Sequence, residues 1–359
     1  MKQKLIAITV VAALAPAAAT ADTNSVVYGR IHASLDSVTG NGTVAGASAK
    51  NSIALNDNSS RFGLKASHDI GNGLKGLLQF EAGLDGNGAG NGSALPGLRD
   101  TYIGLTGGFG TFLVGKLPAA NQYVYDSNLF ADQLGDAANF TGDLMPGRAD
   151  RALHYVAPSM GGVTVALTYL PASSLQSTLN NYNAAADQAN NSYGFTAGYA
   201  ASGITAKLAY FNIGVGRNAA MGTTDANLKP LSIAGSYDFG NGMVSAQHVS
   251  VKLDNLGVSS KRNIYNIGGK FSVSESGAAK AQYSHAGQRG AAADGASMIA
   301  IGYDHSLSKQ MGMYVVYAKT TNNTAGKFSV DNWGHNSQSA GMAAGNDPRG
   351  LGVGLTYDF

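Results

Sequence analysis

The sequence of 359 residues contains no cysteine, which excludes a disulfide scaffold for a chain bound for an oxidising compartment. Beyond the N-terminus it lacks any apolar run long enough for a transmembrane helix, so the remainder is either soluble or crosses a membrane as a sheet. Such a sheet has to close, because an open edge leaves backbone groups unpaired in hydrocarbon. Net charge is also missing. The chain carries +2, and Lys2 and Lys4 account for it. No basic block interleaved with aromatics is present, which argues against a nucleic-acid partner. Catalytic signatures are absent as well: no G-x-S-x-G, no H-E-x-x-H, and seven histidines without ligand spacing. Gly71 to Gly76 fits G-x-G-x-x-G, but an amphipathic strand follows it rather than a helix, so it is a hairpin turn. No loop has EF-hand spacing. The expectation is no enzyme, no cofactor and no metal.

What is present begins with an export signal. Lys2 and Lys4 form a charged start, Leu5 to Leu14 an uncharged apolar run, and Ala19-Thr20-Ala21 a small-residue cleavage site. Residues 1–21 therefore read as a cleaved signal peptide, and 22–359 as the mature domain.

The mature chain repeats short two-faced segments. In Thr164-Val165-Ala166-Leu167-Thr168-Tyr169, the residues Val165, Leu167 and Tyr169 share one face and the small or polar residues the other. Ile204 to Tyr210, Lys280 to His285 and Val353 to Phe359 repeat the pattern. Gly- and Asn-rich turns join the segments at 70–73, 106–110, 159–162, 201–203, 239–242, 274–277 and 307–310. Longer polar stretches alternate with them: 37–58, 86–97, 118–148, 171–191, 214–227, 253–261, 288–296 and 319–349. Short turns on one side and long loops on the other are the asymmetry of an outer-membrane barrel. The count gives about sixteen strands, enough to enclose an aqueous channel. A soluble β-sandwich, propeller or β-helix also alternates. Against it, one face ends in Tyr169, Tyr210, Tyr283, Tyr317 and Phe359, as interfacial girdles do. The other face carries Thr, Ser, Gln, Lys and Arg, which a dry core would not accept unpaired.

Several segments resemble the general porins of Gram-negative bacteria, particularly the trimeric beta-proteobacterial type. They are Val27-Tyr28-Gly29-Arg30-Ile31-His32-Ala33, Ser60 to Lys65, Asp69 to Lys75, Gln79-Phe80-Glu81, Arg99 to Leu105, Gly107 to Thr111, Gly115-Lys116, His154 to Pro158 with Gly161-Gly162, and the terminal Phe359. The resemblance covers the signal peptide, the first seven strands and the C-terminus. It implies a sixteen-stranded transmembrane barrel, a homotrimer in outer-membrane lipid, and Phe359 as the aromatic read by assembly machinery. It also implies a third loop, about 117–148, folded into the lumen. That loop carries Asp126, Asp132, Asp136 and Asp143, with Tyr123, Tyr125 and Phe130. The family opposes such an acidic loop to basic wall groups. By motif position these are Arg61, Lys65 and Arg99, with His154 where relatives often have Arg or Lys.

Strand parity adds detail. Phe62, Leu64 and Ala66 on the lipid side leave Arg61 and Lys65 inside. The same argument puts Arg30, His32 and Asp36 inside on the first strand, and Lys75, Gln79 and Glu81 on the third. Arg99 faces the lumen if Tyr102 faces lipid, and points outward if Ile103 does. The expected activity is passive diffusion of small hydrophilic solutes and ions. A weak anion preference would strengthen below about pH 6 as His154 protonates. The alternatives are a substrate-specific channel or an adhesion barrel. The minority alternative makes Lys65 and Lys75 simple solvated wall groups, and the loop aspartates turn caps.

Overall fold

The computed structural model describes residues 24–40, 52–84, 97–171, 190–215, 226–255, 258–333 and 342–359. The proposed signal peptide lies outside the described residues. Strand segments are β1 (Asn24–Thr39), β2 (Ser52–Asp57), β3 (Arg61–Gly71), β4 (Leu74–Gly83), β5 (Thr101–Gly107), β6 (Gly110–Pro118), β7 (Arg148–Val156), β8 (Val163–Leu170) and β9 (Ser192–Ala201). They continue as β10 (Ile204–Val215), β11 (Ala226–Asp238), β12 (Gly242–Asn255), β13 (Val258–Ser272), β14 (Gly277–Ala286), β15 (Ala296–Ser306), β16 (Met311–Asn322) and β17 (Arg349–Asp358).

From β3 onward each strand pairs antiparallel with the next. The last pairs back on the first, from Arg30 opposite Asp358 to Thr39 opposite Arg349. The sheet is therefore a closed barrel with no edge, the form that hydrocarbon demands of a spanning sheet.

β1 explains why 17 segments make sixteen walls. Its first half pairs with β3 and its second half with β2, so β2 and β3 are two pieces of one strand. The break falls at Asn58-Ser59-Ser60, where Ser59 has φ 59°. The ladder is patched there. The Asn58 amide donates to the His32 carbonyl at 2.8 Å, and the His32 amide donates to Ser60 Oγ at 2.9 Å.

Short turns join the hairpins where Gly and Asn cluster. Asn72 and Gly73 have φ 54° and 75°, and Ser202 and Gly203 φ 51° and 79°. Two successive positive φ values give the turn twist that matches paired strands. The two faces follow the period of two. Ile267 on β13 is 60% exposed while its neighbour Asn266 is 5% exposed. Tyr237, Phe271 and Tyr357 ring the outer face near the short turns, and Tyr193, Tyr265 and Tyr283 ring it nearer the long loops. These are the two girdles of a membrane barrel.

The seam is finished by the C-terminal residue. Phe359 exchanges backbone hydrogen bonds with Gly29, at 3.0 and 3.1 Å, and its ring occupies the space a side chain at position 29 would need. We expect Phe359→Ala to weaken this closure by about 1–2 kcal/mol, from the lost apolar contact. Thermal unfolding of the refolded barrel, followed by gel mobility, checks this; an unchanged midpoint would contradict it.

Candidate functional site

The longest described connection, between β6 and β7, is not a surface loop. It makes three short 3-10 turns, Ala120–Ser127, Ala137–Phe140 and Gly142–Leu144, and is largely buried. Its partners are inward-facing side chains far away in sequence. Lys207 on β10 binds Asp126 at 2.6 Å. Gln247 on β12 accepts from Ser127 and donates to the Tyr123 carbonyl, and Asn266 on β13 donates to the Ser127 carbonyl. On β14, Gln282 accepts from the Leu129 amide at 2.8 Å, and Lys280 donates to the Leu129 carbonyl and Gln133.

An apolar contact completes the anchor. Phe130 and Leu134 are fully buried against Val38, Ala300, Tyr314, Val316 and Ala318. Beside Tyr314 and Val316, the inward side of β15 to β17 offers the small residues Ala300, Ala318, Gly350 and Gly352 here. A side chain at Gly350 would meet Leu134, and one at Gly352 would meet Leu134 and Asp36. This floor lets the segment lie close against the wall.

Within the segment the aspartates differ. Asp136 is fully buried and accepts from the amides of Ala138 (2.7 Å) and Asp132 (2.8 Å) and from Asn128 (2.6 Å). Burial raises its pKa to about 7, with the charge of Asp132 adding and these hydrogen bonds opposing. Asp126 is also pushed up by burial, against the charge and hydrogen bond of Lys207. Asp132 has φ 57° and is half-buried. Its carboxylate acts electrostatically on Arg30, Arg61 and Arg99. The side chain of Asp143 lies outside the described residues.

Those three arginines stand on β1, β3 and the chain entering β5. Arg30 and Arg61 are register partners, on inward positions. Lys65 sits two inward positions further along β3 with its ammonium 4.8 Å from the Tyr28 ring centre. Arg30 is tied to Asp358 by two hydrogen bonds at 2.6 and 2.9 Å. Arg61 donates to the Ser59 carbonyl at 3.2 Å. Among the described residues, neither Arg61 nor Lys65 has a carboxylate at ion-pair distance.

Arg99 answers the question its parity leaves open. Ile103 faces lipid, 61% exposed, and Tyr102 turns inward to Gln79 at 3.0 Å. Alternation would then send Arg99 outward. It does not, because the strand begins only at Thr101 and residues before it leave the extended path. Arg99 Nε instead reaches Glu81 at 2.6 Å on the inward face of β4. Glu81 also accepts from the Tyr28 hydroxyl at 2.8 Å, so a carboxylate sits inside the basic group. Parity placed Glu81 in the lumen, yet only the neighbouring strands reveal its partners. His154 lies on the inward side of β7 but is covered, 8% exposed, with Nδ1 on the Thr168 hydroxyl at 2.8 Å.

Comparison with known proteins follows the same lines. A family model for Gram-negative porins matches residues 7–325. Outer membrane porin protein 32 of Delftia acidovorans is 28% identical over 370 residues, covering 100% of both chains. An anion-selective porin from Comamonas acidovorans superposes with a TM-score of 0.78 at 22% identity, over 94% of this chain and 100% of that one. OmpT of Vibrio cholerae, in a trimer form, superposes with a TM-score of 0.66 at 16% identity, over 94% and 99%.

Two outcomes test the anchor. Lys207→Met leaves the buried Asp126 carboxylate without its counter-charge and is expected to cost about 3 kcal/mol in unfolding. Asp136 ionises less readily folded than unfolded. The stability it contributes is therefore full below the ordinary carboxylate range and lost as pH rises through about 7. Denaturant unfolding should show wild type gaining on Asp136→Asn as pH falls from about 8 to about 5. A gap that stays constant over that range would contradict this reading.

Proposed function

The chain belongs to the Gram-negative porin family, and from that premise we propose how its lumen sorts the small hydrophilic solutes and ions that diffuse through it. The protein is an outer-membrane porin, a water-filled channel rather than a scaffold for catalysis in its relatives. In our reading the segment 117–148 narrows the lumen, and Asp132 faces Arg30, Arg61, Arg99 and Lys65 across the gap.

The observation that carries the reading is a charge balance. Arg30 is compensated by Asp358 and Arg99 by Glu81. On the loop, Asp126 is compensated by Lys207, and Asp136 is sealed inside as a turn cap. Arg61 and Lys65 then face Asp132, two cations against one anion. Opposed fixed charges set up a transverse field that favours dipolar, hydrated solutes, and the surplus sign sets ion preference. A weak anion preference follows. His154, covered and hydrogen-bonded, contributes no charge to the gap in this scheme, and Asp143 is left as a loop acid of unassigned role.

Family membership and the trimer form of the Vibrio cholerae relative support a homotrimer. The terminal aromatic Phe359 supports recognition by assembly machinery, and the segment 1–21 supports export through a cleaved signal.

Planar-bilayer recording tests the scheme. Large ohmic steps in threes are expected, with a reversal potential of anionic sign under a salt gradient. Arg61→Ala with Lys65→Ala should abolish or invert that sign, and Glu81→Gln should enlarge it. The sign should hold between about pH 7 and about pH 5, where an exposed histidine would titrate. A cation-selective wild type, or a double variant with unchanged potential, would overturn the balance. Saturable block by one solute would instead identify a substrate-specific channel.

A further inference from the structure

The connection between β16 and β17 turns inward along residues 328–333 and packs on the β6–β7 segment. The Gly135 amide donates to the Val330 carbonyl at 2.9 Å, and the Trp333 amide to Asn139 Oδ1 at 2.8 Å. The Phe328 and Phe140 rings meet edge to face, with centres 4.8 Å apart. These contacts bring the chain's single tryptophan, Trp333, beside Tyr125. One face of the indole lies on Gly142, where any side chain would overlap the ring. The indole N–H, a donor only, hydrogen-bonds the Tyr125 hydroxyl. Both rings are half-buried.

Tyr125 ties this pair to the charged part of the lumen, since Asp132 and Arg99 both act electrostatically on its hydroxyl. A third half-buried ring, Tyr28, stands on the inward face of β1 under the Lys65 ammonium. Its hydroxyl donates to Glu81, the partner of Arg99. The polar tips of Tyr28 and Trp333 are therefore spent within the protein, and what these rings offer the lumen is π surface. Beside them stand Arg61 and Lys65, without a carboxylate at ion-pair distance among the described residues. Sorting inorganic anions by charge alone would need the cations and no rings.

We propose that the gap between Tyr28 and the Tyr125–Trp333 pair favours aromatic carboxylates such as benzoate over saturated carboxylates of the same charge and bulk. The planar fork of Arg61 matches the carboxylate. The solute's ring then lies among the three aromatic rings, stacked or edge-on, with its face open to the Lys65 ammonium. A saturated ring of equal volume has no π face and loses both contacts. The preference is shallow, because a diffusing solute has to leave as readily as it enters. The inference rests on the channel reading above and adds to it the class of organic anion that the gap suits.

The refolded full-length barrel is placed in a planar bilayer with potassium chloride on one side. The other side holds potassium benzoate or potassium cyclohexanecarboxylate. The reversal potential gives the permeability of each acid relative to chloride. Wild type is expected to pass benzoate about threefold better than cyclohexanecarboxylate. Tyr125→Leu and, separately, Trp333→Leu should remove the difference. Tyr125→Phe, which keeps the ring, should retain most of it, and Tyr237→Leu on the outer girdle should leave it as in wild type. Equal passage of both acids through wild type would overturn the proposal. So would leucine variants that keep the difference, or a Tyr125→Phe that loses it as fully as Tyr125→Leu. The channel reading fails separately, on the sign of the potential in a gradient of potassium chloride alone.

Discussion

Hydrocarbon offers no hydrogen-bond partner to a peptide group, so a sheet that spans it must leave no strand edge open. Here that condition is met by one long strand with three partners. β1 binds β17 along one side, and β2 and β3 in succession along the other. The break at residues 58–60 would leave a gap in the ladder. The Ser60 hydroxyl and the Asn58 amide fill it from within the same stretch. The rest of the molecule depends on this ring, since inward and outward have meaning only once it closes.

Closure creates a lumen, and the lumen is organised by where charges are cancelled. The segment between β6 and β7 spends its own polar groups on the wall of β10 to β14, through Asp126, Ser127, Leu129 and Gln133. Its apolar residues Phe130 and Leu134 settle among alanine, glycine, Val38, Val316 and Tyr314. Across from it, Glu81 and Asp358 each hold one arginine. In the scheme proposed above, the few charges left over decide selectivity. Such pairs hold side chains in place more than they stabilise the fold, since partly exposed ion pairs add little.

Much of this could be read from the residues alone. A pleated strand turns every second side chain to the same face, so alternation in stretches such as Val353 to Phe359 gave both the strands and their inward sides. Clusters such as Gly71-Asn72-Gly73 marked the hairpins because few residues tolerate their φ values. Legibility stopped where the backbone left the extended path. Arg99 lies just before β5, and alternation cannot be carried across that bend. The course of the β6–β7 segment was equally hidden, because its anchors, Lys207 to Gln282, lie in other strands. One signal was available: the inward run Gly350, Gly352, Gly354 is oddly bare for a wetted wall. It marks a place where another piece of chain comes close. Motif position makes His154 an open basic group, whereas the fold covers it with neighbours that pattern does not specify.

The seam between β1 and β17 also orders events in time. The residues that close the ring, 24–39 and 349–359, stand at opposite ends of the described chain. The first strand to be made therefore waits for the last before one of its sides is satisfied. Contacts so distant in sequence form slowly, and an unpaired strand edge invites pairing with the wrong chain. Until the final hairpin arrives, β1 presents an edge as open to a stray strand as to its own partner.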